Sequence, residues 1–270
     1  MSWDQFKVEV DDAGVAQLTL TRPDTLNSLT FEVYADLVRW TDETSRNPDI
    51  KAVVLAGEGR GFCSGGNIQE IMGPLLQRDM EGVLAFTRMT CAVVANLRKM
   101  PQPVIAAIHG TAAGAGAVLA LASDLRIVGE GVKFHFLFSK VGLAGADMGT
   151  AWLLPRIIGD GRAKQALLFG SPITSDQALA WGLANAVVPR EDVVTEARRW
   201  ATELAQGPLE AYRVTKRALH VEADMSFEAA LDYETNLQAA MLRSADHREF
   251  YDSKMEDRDA SWRDRLEPDH

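Results

Sequence analysis

Short apolar runs closed by polar or glycine-rich turns alternate, over most of the chain, with segments in which apolar residues return every three or four positions. Those are the spacings of a buried strand and of one helix face. Residues 5–10 and 15–20 read as a hairpin around Asp11-Asp12-Ala13-Gly14. After the Arg22-Pro23-Asp24 turn, Val33, Leu37 and Trp40 recur at helical spacing across 30–45, with Thr30 as the cap and Asn47-Pro48-Asp49 as the stop. A strand over 51–56 follows, then a helix over 82–99 ended by Met100-Pro101, a strand over 104–108, a helix over 114–122 and a strand over 125–128. This order predicts a layered α/β architecture. From Asp192 onward the pattern is helical over 192–206, 208–220 and 226–241, broken at Gly207-Pro208 and Asp224-Met225-Ser226. A boundary is therefore placed near 200, with residues 1–200 as the core and 201–270 as a helical region. Its amphipathic helices need a partner surface, on this chain or on another copy. The charged stretch 252–270 reads as a frayed end.

Two glycine-rich turns, GRGFCSGGN at 59–67 and HGTAAGAG at 109–116, each follow a β-branched run and lead toward a helix. Glycine lets a backbone approach a ligand closely, and a helix start leaves N–H groups unpaired. Two such turns can aim two N–H donors at one oxygen that becomes negative during a reaction, an oxyanion hole in outline. The turns are also what any α/β protein needs where a strand becomes a helix. Neither is a phosphate-binding P-loop, and Gly110, Gly114 and Gly116 do not form the dinucleotide fingerprint GxGxxG.

Composition narrows the class. At 270 residues the chain buries a sizeable core, and an excess of acidic groups, 38 Asp+Glu against 28 Lys+Arg, argues against a nucleic-acid binder that works by phosphate neutralisation. Only Cys63 and Cys91 are present, the apolar runs are far short of a membrane span, and MSWDQFKVEVDD lacks the apolar centre of a secretion signal. A reducing cytoplasm and no membrane partner are expected.

TRPDTLNSLT at 21–30, GRGFCSGGNIQEI at 59–71, PQPVIAAIHGTAAGAGAVLALASDLRI at 101–127 and FSKVGLAGADMGTAWLLPRIIGDGRA at 138–163, followed by Ala180-Trp181-Gly182-Leu183, resemble in order the enoyl-CoA hydratase/isomerase family, the crotonases. The resemblance covers nearly the whole chain. It implies a spiral of ββα units, a C-terminal helical region that builds homotrimers or hexamers, and an acyl-CoA thioester whose enolate is held by the N–H groups of Gly66 and Ala115. Coenzyme A then arrives as part of the substrate, with no separate cofactor. The loop around Arg22 and Leu26, together with Ser64, Ile68 and Gln69, would hold its nucleotide and pantetheine portions. Where many relatives carry an Asp and, two residues on, a lysine, this chain has Asn67 and Gln69.

Crotonase hydratases share proton transfer between two glutamates, and those positions fall here on Val118 and Phe138, neither of which can carry a proton. Both are instead expected to touch substrate, with Leu143, Trp152 and the helix over 80–97 shaping the acyl pocket. Asp147 remains. A carboxylate in this loop resembles the acid/base of dienoyl-CoA isomerases and of the ring-opening isomerases of phenylacetate breakdown, and lies near the nucleophile of 4-chlorobenzoyl-CoA dehalogenases; the loop is one residue longer than theirs. Asp147 is also suited to cap a helix beginning near Met148, a role that does not exclude the first. One base beside an oxyanion hole suffices to move a double bond, so isomerisation with Asp147 as single acid/base is the leading reading. The alternatives are a one-carboxylate hydratase, with Glu70 as a possible aid, and a non-catalytic acyl-CoA binding or scaffold protein. A dehalogenase would need a histidine where Cys91 stands. His109 and His135 read as structural, Ser64 and Ser139 lack a local histidine, and no spacing suggests a metal site.

Overall fold

The computed structural model describes residue 3 and residues 5–262; residues 263–270, the end of the charged stretch and of the C-terminal region, lie outside the described residues. The strands are β1 (Phe6–Val10), β2 (Val15–Leu20), β3 (Ala52–Gly57), β4 (Gly61–Cys63), β5 (Val104–Ile108), β6 (Thr111–Ala113), β7 (Leu125–Gly129), β8 (Lys133–His135), β9 (Ile173–Thr174) and β10 (Ala186–Val188). The helices of the first half are α1 (Phe31–Ser45), the single turn α2 (Gly73–Leu75), α3 (Met80–Lys99) and α4 (Ala115–Ala122). They are followed by α5 (Thr150–Ile158), α6 (Asp160–Phe169), α7 (Ser175–Ala180), α8 (Val193–Ala205), α9 (Leu209–Val221), α10 (Phe227–Met241) and α11 (Ala245–Met255).

A six-stranded sheet runs β1-β2-β3-β5-β7-β10, parallel apart from the β1–β2 hairpin. A four-stranded sheet runs β4-β6-β8-β9. The chain visits them alternately: β3, β5 and β7 enter the large sheet, and each is followed within a few residues by β4, β6 or β8 in the small one. The glycine turns therefore do not pass directly from strand to helix, as their sequence suggests. Each first contributes a three-residue strand to the second sheet.

Strand parity decides which way the large sheet is covered. Val53 and Leu55 of β3 with Val104, Ala106 and Ile108 of β5 face the main core, while Val54, Ala56, Ile105 and Ala107 face the other side. Burial on both faces explains why these strands are unbroken apolar runs. The outer face is covered by α8 through Val193, Ala197, Ala201 and Ala205. The division read at residue 200 falls inside this helix, whose small residues on both sides of that point pack on the sheet. Beyond Gly207 burial thins, and α10 has no buried residue. The α1 cap is as read, Thr30 Oγ1 accepting from Val33 N–H at 3.3 Å. α11, capped by Ser244, runs through Met255 and so takes only the first four residues, 252–255, of the stretch expected to fray.

Candidate active site

β4 and β6 pair in parallel, placing Cys63 opposite Ala112, so the ends of the two glycine turns emerge side by side. The approach is close enough to require glycine. A Cβ on Gly65, whose φ is +92°, would lie 2.8 Å from Ala113 O and 3.2 Å from Ala115 N. A Cβ on Gly116 would lie 2.2 Å from Cys63 O. The two strand ends are thus packed backbone against backbone.

This packing exposes two N–H groups. Leu29 bridges Gly66: its N–H donates to Gly65 O at 2.8 Å, and its carbonyl accepts from Asn67 N–H at 2.9 Å. Because extended backbone alternates its polar groups, Gly66 N–H points away from Leu29. Ala115 is the first residue of α4, so its N–H has no partner within the helix, and the helix dipole adds positive character there. Gly66 and Ala115 both line one cavity of about 650 Å³.

The same cavity brings together Ser64, Ile68, Gln69, Phe138, Leu143 and Asp147 from the expected set. Four expected residues are not on its wall. Val118 is fully buried in the main core, and every other residue of α4 is buried too. Leu26, at φ +54°, packs its side chain over Gly61 and accepts from Ser64 N–H at 2.9 Å, bracing the loop from behind. Arg22 is engaged by Glu70, Nη2 to Oε2 at 2.5 Å, and donates to Ser28 O at 3.4 Å. Glu70 accordingly faces Arg22 and does not line the cavity. Trp152 also lies off the wall, stacked beneath Arg156 at 3.8 Å. From α3 the wall receives Phe86.

Asp147 does not cap a helix through its side chain. α5 begins at Thr150 with Gly149 at the cap and no side-chain cap bond. The loop instead turns on two left-handed residues, Met148 (φ +48°) and Gly149 (φ +84°), and it is the main-chain carbonyl of Asp147 that accepts from Thr150 N–H at 2.9 Å and Thr150 Oγ1 at 2.6 Å. The carboxylate is left facing the cavity. Burial pushes its pKa above the ordinary carboxylate range, partly offset by a hydrogen bond from Met148 N–H. Its charge reaches Cys91 on α3 and Tyr34 on α1, whose own pKa values are raised first by burial.

Tyr34 is a cavity residue that the sequence reading passed over. Its only signal was a polar tip directly beside Val33 on the buried stripe of α1. Among the described residues no group of three or more His, Cys, Asp or Glu is placed to hold a metal, and no helix is long and apolar enough to cross a membrane.

The family model for enoyl-CoA hydratase/isomerase matches residues 11–265. The 1,2-epoxyphenylacetyl-CoA isomerase of Escherichia coli (strain K12) is 37% identical over 91% of this chain and 93% of its own length. A probable enoyl-CoA hydratase of Rhodobacter capsulatus is 34% identical over 96% and 97%. A crystal structure from Streptomyces coelicolor A3(2), provisionally named an enoyl-CoA hydratase, superposes with a TM-score of 0.96 at 46% identity, covering 98% of this chain and 96% of the other. Match, identity and fold agree over almost the whole chain, and the protein belongs to the enoyl-CoA hydratase/isomerase family, with the crotonase fold expected from its motifs.

Proposed function

We propose that this enzyme isomerises the double bond of an enoyl-CoA thioester, with Asp147 as its single acid/base and the N–H groups of Gly66 and Ala115 as the oxyanion hole. The observation that carries the reading is that Asp147 is the only carboxylate among the described residues lining the cavity those two donors share. The thioester carbonyl acidifies the proton on the α-carbon. Asp147 removes it, the electron pair delocalises as a dienolate whose oxygen is held by the two donors, and the proton returns at the γ-carbon. No water is activated. The raised pKa of Asp147 suits both halves of such a shuttle, because a carboxylic acid that releases its proton too readily is a poor donor at neutral pH.

The Escherichia coli relative is also named as an isomerase, which supports this class. Glu70, the one residue offered as a water-activating aid, is paired with Arg22 instead. Coenzyme A is read as the carrier portion of the substrate, with no further cofactor, and the two free cysteines fit a reducing cytoplasm. The helical region is assigned to self-association, as a trimer or hexamer: α10 has no fully buried residue within its own chain, while Phe227 is 73% exposed and Leu231 47%.

The test is product analysis with a 3-enoyl-CoA and a 2-enoyl-CoA in ordinary and deuterated water. Conversion of the former at unchanged mass in ordinary water, with deuterium entering from the heavy solvent, is the expected result, and Asp147→Asn should lower it by about 10²- to 10⁴-fold. A product heavier by one water would replace this reading with hydration.

A further inference from the structure

Tyr34 is the polar group of the cavity that this chemistry leaves unused. It enters from α1, and Phe86 of α3 holds its ring edge-on, centroids 5.7 Å apart and planes at 85°; Phe86 in turn meets Phe31 at 5.1 Å. Tyr34 is 2% exposed, and its hydroxyl has no hydrogen-bond partner among the described residues. The side-chain polar atoms sealed from both solvent and any partner are Gln102 Oε1, His109 Nδ1, Glu222 Oε1 and Tyr233 OH. Tyr34 is not one of them, which leaves its hydroxyl facing the cavity it lines.

The other polar side chains of that wall are occupied or wet. Ser64 Oγ donates to Thr25 O at 2.9 Å, Ser28 Oγ to Thr25 Oγ1 at 2.8 Å and Asn67 Nδ2 to Ser28 Oγ at 3.1 Å, while Gln69 is exposed. Around the remaining wall are Ile71, Leu75, Phe86 and Phe138. Burial keeps the Tyr34 phenol protonated, hence a donor. A hydrocarbon chain closing this space would strip water from the hydroxyl and return nothing, and an unsatisfied buried donor is costly. The thioester oxygen is already served by two N–H groups, so the acceptor must lie elsewhere on the acyl group.

We infer that Tyr34 determines specificity by donating a hydrogen bond to an oxygen carried on the acyl chain itself, so that the site takes CoA thioesters oxygenated beyond the thioester carbonyl. This rests on the acyl-CoA reading of the cavity. The experiment compares, by calorimetric titration, hexanoyl-CoA with oxa analogues in each of which one methylene is replaced by an ether oxygen, against the natural enzyme and Tyr34→Phe. An ether oxygen is better hydrated than a methylene, so without a donor every analogue binds more weakly than hexanoyl-CoA. The natural enzyme should prefer at least one analogue about tenfold, and Tyr34→Phe, which keeps the ring and its contact with Phe86, should reverse that order. No preference in the natural enzyme, or a preference that survives Tyr34→Phe, overturns the inference. If neither hexanoyl-CoA nor any analogue binds the natural enzyme, the acyl-CoA reading itself fails and this one falls with it.

Discussion

Replacing Gly116 by alanine tests the oxyanion hole without touching a side chain. The added methyl would stand 2.2 Å from Cys63 O and 2.7 Å from both Cys63 C and Cβ, all of them held in the pairing of β4 with β6. Ordinary contact begins near 3.4 Å, so the start of α4 has to retreat by about 1 Å, carrying Ala115 N–H with it. A donor about 1 Å too far from a developing oxyanion contributes little, and loss of one donor costs about 10²- to 10³-fold in kcat. Overpacking should also lower stability by about 1–3 kcal/mol, so turnover is measured well below the melting temperature and alongside thioester affinity. Gly73→Ala serves as the control, since a Cβ there meets nothing within 4 Å. The expected pattern is a large fall in kcat with little change in ground-state binding. A folded Gly116→Ala enzyme with turnover within threefold of the natural one would refute the assignment of Ala115 N–H to the reacting oxygen.

Five further outcomes follow from the geometry. Burial raises the Asp147 pKa, so the base is ionised, and kcat/KM rises, only as pH passes above the ordinary carboxylate range; a profile that turns within or below that range would contradict this. The same raised pKa means the carboxyl contributes stability below its unfolded-state pKa that is lost as pH rises through the folded-state one, so Asp147→Asn should melt higher than the natural protein at neutral pH and not in acid. Glu70→Gln should leave turnover within about threefold, because an exposed ion pair contributes at most about 1 kcal/mol and the residue lies off the cavity wall; a drop comparable to that of Asp147→Asn would revive the hydratase alternative. Lys216, 10% exposed, is 2.7 Å from Asp124 and donates to Leu97 O and Gln102 O, so Lys216→Met should cost about 3 kcal/mol in urea unfolding. Phe227→Asp on α10 should shift the protein toward smaller species in size-exclusion chromatography; an unchanged elution would place self-association elsewhere.

What could be read along the chain is what local physics writes there. The runs Ala52–Ala56 and Val104–Ile108 are apolar at every position because those strands are buried on both faces, and the α1 stripe with its Thr30 cap follows from helical spacing and one orphan N–H. The ordered motifs were specific enough to point to the family, and the glycine clusters marked where backbone meets backbone. The strands β4 and β6 left no such mark, since three residues cannot display a period and their pairing depends on each other. Nor could the sequence distinguish Val118, turned into the core, from Phe138, turned to the cavity, or foresee that Arg22 and Glu70 would engage each other across 48 positions. The direction of the Asp147 carboxylate depends on Met148 adopting a left-handed conformation that no propensity predicts, and the place of Tyr34 depends on α1 and α3 packing together. Local periodicity and backbone freedom belong to the sequence. The cavity belongs to the tertiary structure, because its walls come from segments far apart in the chain, brought within reach only when the pairing of Cys63 with Ala112 and of Leu29 with Gly66 sets their register.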